Sequence, residues 1–505
     1  MPHIAQGVSW MFSRLTRRGA MAAAMLLALA APHLAQATTF HCGTGDVPCL
    51  IAAIHDANAS GSPTNTIHLE AGTYTLTAVD NTTDGPNGLP SVTGALTMQG
   101  AGAETTIIAR TAGASNFRLV HVAAPGQLTV EGLTLTGGLV WPNGSGGGVF
   151  NRGVLVLMQS MLAENAADAG GGLANVGGQV TLQRSMLLGN VTVHMGGGLY
   201  TQGGTVTITQ STLAENGADG GGALKNEGGV VTIADSAIVD NATMEGGAGG
   251  IGLLGGTLQV TNTTLARNRG VDYSGALTVY DGHASLLNCT VVENTTLHSG
   301  GAGVGGLLRI DGTLEVHNTI VAHNTGLYVG DCAGIITSAG HNLIGDPTGC
   351  TITLQPTDKT GEPGLAAFAD DGRPGQGHYP LLATSQAIHA GDPQACPATD
   401  QLGQPRASVC DLGAVEFAPV PADVVALKQA VFADGSKTLL VSASSSMGPA
   451  AQLFMSVAGC LQDAPLRLAG SRYVAVQSVP TCGVLDGQVI TVRSSLGGMA
   501  QGVVR

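Results

Sequence analysis

The chain has 505 residues, room for more than one domain, with 77 glycines, 44% apolar, 11% charged and 3% aromatic residues. So apolar a composition, with no triplet glycine period, excludes both a disordered linker protein and a collagen-like one. A formal charge of −14 makes nucleic acids, and polyanions held by charge alone, poor partners.

Residues 1–37 read as an export signal. Arg14, Arg17 and Arg18 precede an apolar run over 19–31, and Ala35, Gln36 and Ala37 form a small-residue cleavage site. The run is too short to span a bilayer, and no later stretch does so. Removing it takes away three arginines and no acid, moving the charge from −14 to −17. Residues 38–135 follow as an N-terminal cap and first coils, in which Ile51, Ile54 and Ala57 share one face of a short helix suited to plug a solenoid.

Residues 136–350 repeat. Asn165, Asn190, Asn216, Asn241, Asn268, Asn294 and Asn324 recur at steps of 25, 26, 25, 27, 26 and 30. Five residues before each lies Ser160, Ser185, Ser211, Ser236, Thr263, Cys289 or Thr319, and three before each lies Leu162, Leu187, Leu213, Ile238, Leu265, Val291 or Val321. Short alternating runs precede the Ser/Thr column, such as Val180 to Leu182 and Val206 to Ile208. Glycine pairs such as Gly171, Gly172 and Gly197, Gly198 suit corners. Coils of about 25 residues with several short strands and no helical pattern predict an all-β fold, a right-handed parallel β-helix. The Leu/Ile/Val column is then the dry interior, and the Asn column is placed at a corner, where asparagine tolerates left-handed geometry.

Residues 351–418 read as the C-terminal cap of the β-helix, and 419–505 as a linker and a small β-sandwich, from "FAPVPAD" (417–423) and the alternating "LLVSAS", "YVAVQSV" and "VITVRSSLGG". Eight cysteines fall into close pairs, Cys42/Cys49, Cys332/Cys350, Cys396/Cys410 and Cys460/Cys482, read as disulfides of an exported protein. Cys289 is left over as a free thiol in the Ser/Thr ladder.

Several segments resemble known families. "GGAL" (221–224) and "LAEN" (213–216) look like the repeats of polymorphic outer-membrane, adhesin-type proteins. "CLIAAIHDANAS" (49–60) resembles the C-S-L-R-x-A-I-x-x-A-N opening of secreted bacterial β-helix proteins, with Leu50, Ile51 and Ala52 in place of Ser-Leu-Arg. "SAGHNLIGDPTGC" (338–350) and "SQAIHAGDPQACPATDQLGQPRASVCDLGAVEF" (385–417) are similar to the end of the choice-of-anchor Q family, with His389 for its Asp and Leu402 for its Arg. Together they cover roughly residues 40–418 and imply secretion and a surface location, without assigning catalytic residues.

Chemistry has few places to sit. One titratable group per coil, Asp168, His194, Asp219, Glu245, Asp272 and His298, forms a stripe that would raise the pKa of its histidines or attract a cation. No cofactor follows from the motifs, and Ca2+ is the ion such a stripe would take. The plainer reading is a solvated row of turn residues. A second column, Glu164, Glu215, Asp240, Arg267, Glu293 and His323, reads as an ordinary wet face. The catalytic candidates are Lys225, read as a surface-loop lysine, and Asp219 with Asp168, about 10 Å apart if two coils separate them. Tyr200, Tyr273 and Tyr280 offer rings for sugars. The expected function is adhesion or binding of an extracellular polysaccharide or surface protein by a monomer. The alternatives are a pectate-lyase-like polysaccharide lyase or hydrolase, and a spacer presenting the C-terminal domain.

Overall fold

The computed structural model describes residues 37–62, 64–297, 301–418, 424–448, 451–469, 472–495 and 498–505. The expected export signal, apart from Ala37, lies outside them. The chain divides between Phe417 and Ala418 into two compact units.

The first unit is a parallel β-helix, as the repeat predicts. Equivalent strands stack in register, so that Leu162, Leu187, Leu213, Ile238, Leu265, Val291 and Val321 form one continuous row. Each is at most 1% exposed. Burying each such side chain contributes about 1.5–3 kcal/mol, and only the stacked neighbours supply the apolar surroundings.

The Asn column is a ladder inside the coil. Asn165, Asn190, Asn216, Asn241, Asn268 and Asn294 each donate Nδ2 to the Oδ1 of the next asparagine at 2.9–3.0 Å. Asn324 donates instead to Asp331 Oδ1 at 2.9 Å, which ends the row on a buried carboxylate. The left-handed corner expected of the asparagines falls one residue earlier, at Glu164, Glu215, Asp240, Arg267, Glu293 and His323, with φ of 53–58°. The asparagines are needed for their amides rather than for their turn propensity.

The glycine corners shift in the same way. The positive φ lies on the glycine before the pair, 63° at Gly196. Gly197 is required for close approach, since a Cβ there would lie 2.5 Å from Gly217 O of the next rung.

Helix α1, Val47–Ser60, covers the N-terminal end of this core. Asp46 Oδ1 accepts from Cys49 N at 3.0 Å, and Gly61 ends the helix in the left-handed region. Its buried face is Leu50, Ala53, Ile54 and Ala57, at i, i+3, i+4 and i+7. Ile51, expected on that face, is partly buried at its margin. The disulfide Cys42–Cys49 ties α1 to the strand Thr39–Cys42, and Cys332–Cys350, Cys396–Cys410 and Cys460–Cys482 are the others.

Parallel pairing continues to Lys359–Thr360. Beyond it, residues 363–417 run along the flank of the solenoid. Gly375 N donates to Thr212 Oγ1 at 2.8 Å, Thr264 Oγ1 to Gln401 Oε1 at 2.6 Å, and Ala414 N to Thr290 Oγ1 at 2.9 Å. Small residues on that face, Ala214, Ala237, Ala266 and Ala322, leave room for Tyr379, Leu381, Ala387 and Leu412.

The second unit differs from the expected sandwich. Among the described residues its seven antiparallel strands form one sheet that begins at Val425–Ala433 and ends at Met499–Val503. Those two ends meet, with Phe432 N donating to Arg505 O at 2.8 Å and Arg505 N to Ala430 O at 3.0 Å. Closure into a barrel-like sheet removes the edges that a sandwich would leave open.

Candidate functional site

Along the strands Val149–Asn151, Leu173–Val176, Leu199–Gln202 and Leu224–Glu227, side chains alternate between the core and the outer face. Leu173, Leu199 and Leu224 point inward and join the main core. The alternate positions stack in register as Phe150, Ala174, Tyr200, Lys225, Gly252 and Thr278. Phe150, Ala174 and Tyr200 form an apolar cluster of their own, with Ala169 packed against it from the strand Ala166–Ala169.

Lys225 sits in this row, in a strand and only 6% exposed, not on the surface loop that its neighbours suggest. Gly252 opposite it is what lets the lysine lie flat. A Cβ at 252 would come within 3.1 Å of Lys225 Cδ and 3.5 Å of Nζ. The ammonium then reaches the ring of Tyr280, 4.3 Å from its centroid. Tyr280 in turn meets Tyr273 edge-on at 5.2 Å. Burial lowers the pKa of Lys225, against the opposing pull of Glu227. Glu227 is engaged elsewhere, accepting from Tyr200 Oη at 2.6 Å, and burial together with that bond raises the pKa of Tyr200. Among the described residues no carboxylate comes within ion-pairing distance of Lys225 Nζ.

The acidic stripe flanks this row and is not uniform. Asp168 Oδ2 accepts from Gly144 N at 2.9 Å and so holds the strand Leu139–Ser145 in place. His194 and Glu245 are exposed, whereas Asp219 is half-buried. Asp219 is the stripe residue whose pKa is raised. Burial raises its pKa first, repulsion from Glu245 adds to that, and His194 opposes it. Asp272 continues the stripe beside Gly246, where a Cβ would lie 3.8 Å from its Oδ2. His298 lies outside the described residues. Among the described residues no group of three or more His, Cys, Asp or Glu side chains is placed to hold a metal ion. The Asp168/Asp219 pair has the rung of His194 between its members, and Asp168 already serves the Gly144 amide.

The second column does more than face water. Arg267 pairs with Asp240 through Nε at 2.8 Å and lies over the Phe368 ring at 3.6 Å. Glu293 accepts from Tyr379 Oη at 2.5 Å, and His323 Nε2 lies 3.0 Å from Glu362 Oε2. These residues clamp the flanking segment 363–417 and the turn before it. Cys289 is fully buried among the ladder groups, its thiol pushed up to about 12 by burial, which makes it inert as a nucleophile.

The three tyrosines were legible as candidate sugar-stacking rings, but Phe150 was not, because it belongs to a rung where the repeat register is only starting. No helix among the described residues is long and apolar enough to cross a membrane. No protein-family model matches the sequence, and no curated protein matches it. Among solved structures, the chain is similar to pectate lyase Pel9A, with 15% identity over 76% of this chain and 98% of that one, at a TM-score of 0.45. It is also similar to the A-module of the Azotobacter vinelandii mannuronan C-5 epimerase AlgE4, with 16% identity over 64% and 95% of the two chains, at a TM-score of 0.40. These likenesses concern the fold alone.

Proposed function

We propose that the protein is exported and binds an extended acidic polysaccharide along the outer face of its long sheet, in adhesion or matrix attachment. The observation that carries this reading is Lys225, a lysine only 6% exposed with no carboxylate partner among the described residues, which follows Tyr200 in a row stacked at about 4.8 Å per rung and lies against the Tyr280 ring. Desolvating an unpaired charge is costly unless something binds it. A carboxylate carried by the glycan would complete the pair, while the tyrosines meet the apolar faces of the sugar rings. The four disulfides support export, since such bonds persist in oxidising compartments.

A charge-assisted hydrogen bond contributes about 1.5–3 kcal/mol. Lys225→Met, close to isosteric and uncharged, is therefore expected to weaken binding to polyuronates on a glycan array by about tenfold or more. Binding to neutral glycans should stay unchanged. Equal binding of acidic glycans by wild type and Lys225→Met would refute the proposal.

The lowered pKa of Lys225 favours a second reading, a lyase in which the neutral amine takes the proton α to a uronate carboxyl group. That reading requires the unsaturated product of β-elimination to accumulate with wild type and not with Lys225→Met. Binding without product leaves adhesion as the function.

A further inference from the structure

The row that holds Lys225 passes through Phe150, which stacks on His121 of the preceding rung and lines a cavity of about 290 Å³ together with Asp84, Arg118, Asn116, Trp141 and Asn143. Arg118 is 2% exposed, one of the largest buried side chains of the protein. Its Nε donates to Ser145 O at 3.2 Å, and its Nη1 to Asp84 O and Asn87 Oδ1 at 2.9 Å each. The guanidinium lies over the Phe150 ring, 4.8 Å from its centroid. A guanidinium has five N–H donors, and these bonds use three. Nη2 keeps two, and no described residue accepts from them. Nη2 is the atom nearest to Gly85, where a Cβ would lie 3.0 Å from it, and Gly85 also lines the cavity.

Burial lowers the pKa of Arg118 and the Asp84 charge opposes that, but Asp84 is shared with other cations. The Asp84 carboxylate lies 3.4 Å from Arg152 Nη1 and 3.3 Å from His121 Nε2. Asp168 is engaged by Gly144 N. On the open side stands Trp141, 45% exposed. Its strand is held by Asn116 Nδ2, which donates to Trp141 O at 2.7 Å, and by the Asp168 bond. An indole face beside a buried arginine with two free donors recognises two chemistries at once. One is the apolar face of a pyranose ring, and the other is an anion that accepts from the two Nη2 hydrogens.

We propose that the Arg118–Trp141 cavity is a terminal subsite for a sugar residue bearing a carboxylate, which accepts from Arg118 Nη2 while its ring stacks on Trp141. The subsite rests on the proposal of a glycan row at Lys225 but has its own ligand, a single uronic acid. The two are separable because a monosaccharide does not span from Phe150 to Lys225, three rungs away.

The chain contains two tryptophans, Trp10 and Trp141, so protein lacking residues 1–37 has Trp141 as its only one. Its fluorescence is the readout. Titration with galacturonic acid is expected to give a saturable change, and galactose none. Arg118→Met should weaken the galacturonate response by about tenfold or more. Because Arg118 also braces three acceptors and its loss could unfold the rungs, Trp141→Ala is the second variant. It sits on an exposed ring, should keep the melting temperature, and should lose galacturonate binding measured by calorimetry. Galacturonate binding that survives Trp141→Ala unchanged, or an equal response to galactose, would overturn the subsite. So would tighter binding of galactose 6-sulfate than of galacturonate, which would assign the cavity to sulfate esters. Polygalacturonate binding that depends on Lys225 while Trp141 stays silent would refute the subsite and leave the row. A galacturonate response at Trp141 with polymer binding indifferent to Lys225→Met would support the subsite and refute the row.

Discussion

Replacing Asn216 by Ala removes one rung of the amide ladder, and its cost follows from the bonds made there. Asn216 Nδ2 donates to Asn241 Oδ1 and Leu187 O, both at 2.9 Å. Its Oδ1 accepts from Asn190 N and Asn190 Nδ2, both at 3.0 Å. After truncation Asn190 N is left without a partner. Asn190 Nδ2 keeps Leu162 O, and Asn241 Oδ1 keeps Asn216 N at 3.0 Å. One orphaned buried donor costs about 1–3 kcal/mol, and three further lost bonds cost about 0.5–1.5 kcal/mol each. A water entering the small void would recover part of this, so the expected loss is on the order of 4 kcal/mol. That falls within the roughly 2–5 kcal/mol expected for Leu213→Ala in the dry core. Asn216→Asp should be no better, because its second oxygen would face Leu187 O and Asn241 Oδ1. Asp331→Asn, at the end of the ladder, should cost only about 1–3 kcal/mol, since it disturbs a single acceptor, Asp331 Oδ2, which receives Asp346 N at 2.7 Å. Urea unfolding of the whole chain followed by far-ultraviolet circular dichroism measures the series. A loss below about 1 kcal/mol for Asn216→Ala, with Leu213→Ala costing its full value, would refute the view that the amides hold the rungs together.

Two further predictions follow from buried titratable groups. His121 is buried, and desolvation with repulsion from Arg118 pulls its pKa from 6.5 to about 4. The folded state resists protonation that the unfolded chain accepts, so stability is complete above pH 6.5 and falls as the pH drops toward 4, by at most about 3 kcal/mol. His121→Gln should flatten that part of the pH–stability curve, and an unchanged slope would refute the assignment. The Cys289 thiol, fully buried, should not react with a thiol reagent such as iodoacetamide until the chain unfolds. Cys289→Ser should cost less than about 1.5 kcal/mol, because Ser211 in the equivalent slot bonds Thr209 O at 2.8 Å as Cys289 Sγ bonds Leu287 O. Rapid labelling of folded protein would count against this placement.

The residues of the candidate site were visible in the sequence in unequal measure. Lys225 could be named as the one lysine of the regular coils, but its neighbours Asn226 and Glu227 suggested a loop. Only the strand pairing with Gly252 buries it and lays it against Tyr280. The Asp/His stripe was legible as a column of equal spacing. Its division of labour was not, because Asp168 meets Gly144 and Asp219 meets Glu245 through the stacking of different rungs. Arg118 and Trp141 lie at the edge of the periodic region, where no column marks them.

What the sequence by itself determined is what repeats. A period of about 25 residues places like side chains one above another, so the apolar row, the hydroxyl row and the amide row follow from spacing alone. The tertiary structure decided everything that depends on meetings across non-equivalent positions. These are the residue that takes the left-handed corner, the return of residues 363–417 along the flank, the closing of the second unit into a barrel-like sheet, and the burial of Lys225. Such contacts join residues far apart in the chain with no common period. Their energies come from shape and desolvation at the point of contact, which a pattern of letters does not carry.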